Sequence, residues 1–422
     1  MMTNIQEKAA LLSPAIRTLL LGENGCIVRH YTDDETENLI ATRQAFGEME
    51  KVFSKYSSGE YKGCRYIDNA ETVDVQYELL QGAFSHGAKP GATNPALVAV
   101  SGVGVFSVSR TKSDADKTIA DFLSARSGKA LDATALVSAI DKNDKLFSGR
   151  IAGKVAIITG SAQGFGQGIA ESMAEEGAYV VIADINEPLA QKLAETICKR
   201  YGEGRATAIY VDVTSGESIK ELMVKTVLAY GGIDVFVSNA GILKAGSLEE
   251  MDCKTFELVT KINYTAYFLG VKYASHYMKI QNRFNESLFS DIIQINSKSG
   301  LEGSNKNFAY AGGKFGGIGL TQSFALELVE YNIKVNSICP GNFFEGPLWA
   351  DPQNGLFAQY LRAKKVPGAK SIADVKKYYE SKVPMKRGCT VRDVALAVFY
   401  IMEQAYETGQ AVPVTGGQVM LR

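Results

Sequence analysis

The sequence predicts a doubly wound parallel α/β sheet preceded by a smaller α/β region. Three observations carry that expectation. Short apolar runs alternate with helical stretches from residue 154 onward. A glycine-rich turn directly follows the first of those runs, and residues 1–150 lack the same regular alternation.

The runs fall at residues 154–158, 179–183, 207–211, 234–238, 292–295, 334–338 and 411–414. Most are continuously apolar, as strands covered by helices on both faces must be. Pro413 has no N–H for a ladder, so the last strand is expected at a sheet edge. In front, residues 32–35 form a capped helix start, with Leu39, Phe46, Met49 and Phe53 near helical spacing. Residues 97–108 read as a strand interrupted by a turn or bulge at Gly102 and Gly104, and residues 113–123 as a second capped helix. The polar stretch 141–145 precedes a boundary near 148–153, giving a front domain over 1–150 and a second domain over 151–422.

The bulk properties exclude several classes. A chain of 422 residues exceeds one average core. Its net charge of −1 gives no electrostatic basis for a nucleic-acid or anionic-membrane partner. No apolar stretch reaches membrane-spanning length, and the start lacks the order of a secretory signal. The six cysteines are scattered without a C-x-x-C pair, so reduced thiols in a cytoplasmic setting are expected, with no zinc knuckle.

Residues 159–166 read T-G-S-A-Q-G-F-G. Gly160, Gly164 and Gly166 suit a tight turn, close approach of backbone to a pyrophosphate, and close helix–strand packing. Ser161, Gln163 and Phe165 complete the loop, and the helix that follows presents free N–H groups and a positive dipole end to phosphates. A lone glycine triplet also suits an ordinary turn; its place between strand and helix favours the phosphate reading. Asp184 ends the second run, where a carboxylate accepts both adenosine ribose hydroxyls and repels a 2′-phosphate. No Arg or Lys occupies the glycine loop and Ile185 follows the acid, so NAD is expected over NADP. Asp212 and Val213 are placed at the adenine edge, and Asn239, Ala240 and Gly241 close over the cofactor with small residues.

Tyr310 and Lys314 stand at i and i+4 on one helix face. A free Tyr titrates at about pH 10, and a neighbouring Lys⁺ is expected to favour its phenolate and bring it toward working pH. Ser297, thirteen residues upstream and just past an apolar run, is a candidate to hydrogen-bond a substrate oxygen and stabilise its developing charge. Asn263 is a candidate for holding the water that relays protons through Lys314. Gly312, Gly313, Gly316, Gly317 and Gly319 each cost about 1 kcal/mol relative to Ala in a helix interior. So many imply a face set very close to a partner subunit or to the nicotinamide.

In this order, the glycine pattern, Asn239-Ala240-Gly241, the set Asn263, Ser297, Tyr310 and Lys314, and then Pro340-Gly341 resemble the short-chain dehydrogenase/reductase family over residues 151–422. The resemblance implies a Rossmann-type fold and hydride transfer to the nicotinamide while Tyr310 takes the alcohol proton. It also implies cofactor contacts at Pro340 and Gly341 and homodimers or homotetramers built partly through the Tyr310 helix. Segments 292–300, 314–323, 383–389 and 414–420 resemble the sorbitol-6-phosphate 2-dehydrogenases, which interconvert D-sorbitol 6-phosphate and D-fructose 6-phosphate with NAD. A small sugar-alcohol phosphate is therefore the implied substrate, with Ser297, Lys298 and Tyr310 as its contacts.

Lys298, Lys306, Lys386 and Arg387 are the cations offered for the phosphate; for each, a solvated surface charge is the plainer reading, and Lys298 stands out by following Ser297. The chain departs from the wider family after Pro340-Gly341, where Asn342-Phe343-Phe344 replaces the usual Thr, and over 348–382, which is longer. Another sugar, diol or deoxysugar-pathway alcohol is the alternative substrate. A non-enzymatic cofactor sensor would have no need of all four of Asn263, Ser297, Tyr310 and Lys314.

Residues 94–123 resemble the last part of the aldolase portion of bacterial aldolase–dehydrogenase fusions. Such an aldolase needs a histidine cluster around a divalent metal, whereas only His30 and His86 occur in front. No metal is expected, and the front domain is read as a non-catalytic docking or assembly unit. His276, on a helix of the second domain, is read as structural.

Overall fold

A computed structural model of the chain describes residues 3–21, 26–54, 57–58, 61–84, 94–128, 148–353, 355–362 and 364–420. His86 and the polar stretch 141–145 lie outside the described residues.

The strands are β1 (Ile27–Tyr31), β2 (Ser57–Ser58), β3 (Tyr61–Lys62), β4 (Cys64–Ile67), β5 (Leu97–Val100) and β6 (Gly104–Ser109) in front. Behind them come β7 (Val155–Thr159), β8 (Tyr179–Asp184), β9 (Ala206–Tyr210), β10 (Val235–Ser238), β11 (Ser290–Ile295), β12 (Ile333–Pro340) and β13 (Ala411–Val414). The latter seven form one sheet in the order β13-β12-β11-β10-β7-β8-β9, every pairing parallel. Pro413 stands opposite Cys339 on β13, which is an edge strand as its missing donor requires.

Alternation along each strand divides the sheet's side chains between two cores. Val155, Ile157, Tyr179 and Val181 face one layer, against the helices Gly216–Tyr230, Ala266–Arg283 and Phe308–Leu328. Ala156, Ile158, Val180 and Ile182 face the other, against Gly164–Glu175, Glu187–Tyr201 and Val391–Glu403. Strand order reverses between β7 and β10, and that reversal opens a crevice at the carboxyl ends of the strands.

The front region has its own sheet, in the order β1-β6-β5-β4. The interrupted strand expected over 97–108 is two antiparallel strands, because Gly102 (φ +70°) and Gly104 (φ +137°) turn the chain where an L side chain would be strained. The helix expected from residue 34 is likewise two helices, Asp34–Ile40 and Arg43–Ser54, with Thr42 Oγ1 accepting the Ala45 N–H (3.2 Å) at the new start.

This region is not a separate appendage. Its first helix, Asn4–Leu19, packs on the helices Gly216–Tyr230 and Ala266–Arg283. Ala10, Ile27 and Ala115 share one core with Tyr179, Val227 and Tyr230. Arg17 seals the junction. Its guanidinium donates to both oxygens of Asp234 (3.2 and 2.8 Å) and to the carbonyls of Cys26 (2.9 Å) and Gly153 (3.3 Å), while Asp234 also accepts the Val155 N–H (2.7 Å). Burial alone would raise the Asp234 carboxyl; the adjoining guanidinium overcomes it and holds the carboxyl below its ordinary value.

Candidate active site

A cleft of about 1270 Å³ opens over the strand ends. Its adenosine-side wall begins where β7 runs into the helix Gly164–Glu175. Gly160 (φ +63°) turns the chain so tightly that a Cβ would lie 2.7 Å from Ala240 Cα. Gly166 has no room for a side chain against Gly160 and Ser161, so the helix start abuts the strand. Gly164 (φ +65°) has no heavy atom within 4 Å of a built Cβ, leaving open space for a ligand to approach its backbone. Gln163 is the N-cap of this helix but makes no side-chain cap, so the first amides keep their capacity for an anion.

Gln163, Phe165, Asp184, Ile185, Asp212, Val213, Asn239, Ala240, Gly241, Pro340 and Gly341 line the same cleft, together with Gly160 and Gly164. Asp184 accepts from the Ala162 N–H through Oδ2 and the Asn186 N–H through Oδ1, 2.9 Å each, which fixes its orientation while each oxygen retains a lone pair. Asn239 donates from Nδ2 to the carbonyls of Thr159 and Gly160 (2.9 Å each), so it clamps the glycine turn. Ser161, expected as a cofactor contact, is fully buried and does not line the cleft. Its hydroxyl donates to Ile158 O (2.7 Å) and accepts from Ala183 N (3.1 Å), bracing β7 on β8. Gly166 likewise acts through packing.

The four candidate catalytic residues converge at the other end. Ser297 leaves β11 in extended conformation, its Oγ accepting the Ser299 N–H (3.1 Å). Tyr310 lies in the first turn of the helix Phe308–Leu328 and lines the cleft with Ser297. Burial raises the Tyr310 phenol, and the Ser297 hydroxyl offsets part of that rise. Lys314 lies beside Tyr310, as its spacing implies. It is buried, its Nζ donates to Ile295 O (2.9 Å), and it stands 5.5 Å from the centre of the Tyr310 ring. Burial brings the ammonium down to about 8.

Asn263 sits in a π-helical turn, Lys261–Thr265, inserted between two α-helices. Its Nδ2 donates to Ile242 O (2.8 Å) and Val259 O (2.9 Å), while its buried Oδ1 has no partner. Two of the helix glycines, Gly313 and Gly316, meet this turn. A Cβ on Gly313 would lie 3.4 Å from Asn263 Cβ, and one on Gly316 2.6 Å from the Tyr264 ring; Gly317 is crowded by Gln294. The close approach read from sequence as a subunit or nicotinamide contact is therefore largely internal, with Gly312 and Gly319 alone facing open space among the five.

Sequence reasoning missed Asn296, which ties the constellation together. Its Nδ2 donates to Lys314 O (2.9 Å) and Gln294 Oε1 (2.7 Å), and its Oδ1 accepts the Ser297 N–H (2.8 Å). A buried Asn directly before Ser297 was the available signal.

At the substrate end, Lys298 and Lys306 line the cleft, joined by Lys244 and Lys365, which sequence did not single out. Lys386 and Arg387 do not line it. Lys386 donates to Ser381 O (2.8 Å), and Arg387 forms a two-pronged pair with Asp393 (2.5 and 2.9 Å). Phe165 of the glycine loop stacks on Phe343 (centroids 4.3 Å, planes 16° apart), joining the two walls. The long segment after Gly341 has its own core of Phe344, Phe357, Val366, Val375 and Val383. Among the described residues no group of His, Cys, Asp and Glu is arranged to hold a metal, and no helix is long and apolar enough to cross a membrane.

The parallel sheet with its glycine turn, and a Ser, Tyr and Lys gathered at the strand ends, define a nicotinamide-dependent oxidoreductase acting on CH–OH groups. The family model described as short chain dehydrogenase matches residues 154–349, and the chain belongs to that family. It is similar to sorbitol-6-phosphate 2-dehydrogenase of Escherichia coli (strain K12), with 39% identity over 269 residues, covering 63% of this chain and 99% of the relative. The crystal structure of sorbitol-6-phosphate 2-dehydrogenase from Erwinia amylovora superimposes with a TM-score of 0.58 at 39% identity, covering 63% of this chain and 100% of that one. Trans-4-hydroxycyclohexanecarboxylate dehydrogenase of Sinomonas cyclohexanicum is 33% identical over 277 residues, 64% of this chain and 95% of the relative.

Proposed function

We propose that the protein oxidises a sugar-alcohol phosphate, D-sorbitol 6-phosphate foremost, to the ketose phosphate D-fructose 6-phosphate with NAD. The carrying observation is charge: Lys244, Lys298, Lys306 and Lys365 surround the substrate end of the cleft, with Glu250 the one carboxylate among the described lining residues there. Such a mouth concentrates an anionic substrate. The similarity to two sorbitol-6-phosphate 2-dehydrogenases supports the choice of anion.

Tyr310, as the phenolate that the neighbouring Lys314 ammonium favours, accepts the carbinol proton, Ser297 holds the carbinol oxygen, and Lys314 passes the proton on past Asn263. The residues present fit a dinucleotide: Gly164 and the uncapped helix start leave room and donors for its phosphates, and Asp184, held by two backbone amides, presents acceptors for ribose hydroxyls and repulsion for a 2′-phosphate. When bound, the nicotinamide supplies the hydride acceptor.

NAD reduction followed with sorbitol 6-phosphate, sorbitol, 1,2-propanediol and a cyclic hydroxycarboxylate tests this reading. Turnover confined to the phosphorylated polyol is expected. Turnover confined to unphosphorylated alcohols overturns it in favour of another sugar or diol; turnover of the hydroxycarboxylate alone points to a different anionic alcohol.

We also infer a homodimer or homotetramer, since Phe315 and Leu326 on the Tyr310 helix, and Val329 just past its end, are exposed apolar residues. Light scattering that gives a monomer mass would remove that inference. The front domain, divided from the second near residue 150, serves assembly and not chemistry. Its Cys26 thiol, like the five other cysteines, suits a cytoplasmic setting.

A further inference from the structure

We propose that Asn307 is a substrate-positioning residue whose side-chain amide holds a hydroxyl of the polyol chain beside the carbinol that Tyr310 deprotonates. The inference rests on the polyol reading of the cleft and adds a residue that this reading did not use.

Asn307 is the N-cap of the helix Phe308–Leu328, a position where an Asn side chain ordinarily accepts a first-turn N–H. Eight other N-caps obey that rule. Thr3, Asp33, Thr111, Asn186, Ser215, Asp252, Ser371 and Thr390 all accept from their own helix, and Asn186, the same residue type, does so from Leu189 N at 3.2 Å. Asn307 makes no such bond. It is 9% exposed and lines the cleft, and its buried Oδ1 has no hydrogen-bond partner. An unpaired buried acceptor is a standing cost, relieved when a donor arrives.

The local backbone shows how the side chain comes to be diverted. Lys306, just before it, is held at φ +56°, a left-handed conformation that costs a non-glycine residue and persists only where its surroundings enforce it. Those surroundings are visible: the Gly246 N–H donates to Lys306 O (2.9 Å) from the opposite wall, and the Asn307 N–H donates back to Ser304 O (3.2 Å). The turn thus ties residues 304–307 to the wall at Gly246 and sets Asn307 one helical turn before Tyr310. An amide is suited to a hydroxyl there, because it accepts and donates, and its broad terminal torsion lets either atom face the cleft. A substrate with a hydroxyl next to its reacting carbon satisfies Asn307; a simple secondary alcohol leaves it unpaired.

The test is a double-substitution cycle on the full chain, with kcat/KM measured for wild type and Asn307→Ala on sorbitol 6-phosphate and on analogues deoxygenated at a carbon neighbouring the carbinol. Wild type is expected to lose about 10–10²-fold on one such analogue. Asn307→Ala is expected to lose a similar factor on the parent substrate and little more on that analogue, with NADH affinity unchanged. Asn307→Asp, which keeps the acceptor, should recover part of the loss. Because Asn307 caps nothing, its Ala variant should melt close to wild type, whereas Thr111→Ala, which removes a cap outside the cleft lining, should melt lower without the kinetic effect. Independent, multiplicative losses on every analogue, or no loss at all, would overturn the role of Asn307 while leaving the polyol-phosphate reading standing. If wild type oxidises sorbitol and not its phosphate, the same cycle with sorbitol and its deoxy analogues decides Asn307 alone. If wild type oxidises neither, the polyol reading and the role of Asn307 fall together.

Discussion

The two α/β sheets of this chain use their polar residues in opposite ways. In the dehydrogenase sheet, strand ends carry groups left partly unsatisfied toward a cleft: Asp184 with spare lone pairs, Gln163 without a cap, and Asn263 and Asn307 with unpaired oxygens. In the front sheet the conspicuous polar groups, Arg29 Nε apart, are consumed by packing. His30 bonds the Val103 carbonyl (3.0 Å), Tyr31 donates to Asp33 (2.7 Å), and Arg126 joins Asp33 to Thr36 (2.5 and 2.6 Å). Where polar capacity is left over, chemistry is to be sought; where it is spent, the element serves structure.

The strongest attempt to break that contrast is Tyr310→Phe. It should lower kcat by about 10²–10⁴-fold, the usual contribution of a placed acid/base, while fluorescence titration shows NADH affinity nearly unchanged. Substantial surviving turnover would refute the proposed role. Next comes Arg17→Ala at the junction. Removing one partner of a buried ion pair costs about 3–5 kcal/mol, so the denaturant midpoint should fall steeply, with kcat preserved in the protein that remains folded. Arg17→Met combined with Asp234→Leu should restore much of that loss, since no uncompensated charge is left behind. A negligible effect of Arg17→Ala would mean that the front region does not brace the sheet.

A smaller effect is expected at Lys298. Its replacement by Ala should raise KM for sorbitol 6-phosphate by about tenfold at most, because three other lysines share the field, and the effect should shrink as salt is added. An unchanged KM would remove Lys298 from phosphate binding. The smallest effect concerns His30, which burial holds neutral, with its titration lowered to about 4. The unfolded chain takes up a proton at about pH 6.5, so stability is fully present above that pH and declines as pH falls toward 4. His30→Gln should flatten this slope in urea melts at pH 7 and pH 5. An unaltered slope would assign the decline to other groups.

Much of the dehydrogenase sheet was legible because its strands are covered on both sides and read as unbroken apolar runs, with Pro413 marking the edge. The glycine loop, Asp184 and the Ser297, Tyr310 and Lys314 spacing were legible for a related reason: each depends on residue type at a fixed short separation. The front region was less legible. One apparent helix is two because the chain reopens at Thr42, and one apparent strand is two because only glycines take the conformations at 102 and 104. The cations were half legible. Lys298 and Lys306 reach the cleft, but Arg387 is claimed by Asp393, and Lys244 and Lys365 arrive from segments distant in sequence.

By itself the sequence determined the fold class and the residues that the fold gathers at the strand ends, because periodicity and local spacing are encoded along the chain. Tertiary structure alone decided what each polar group is free to do. Ser161 became a strand brace, Lys314 an anchored ammonium lowered to about 8, Gly313 and Gly316 an internal seat for a π-turn, and Asn307 an N-cap that does not cap. Burial, the identity of the nearest partner and the competition for hydrogen bonds are set by residues far away in sequence, and no local pattern records them.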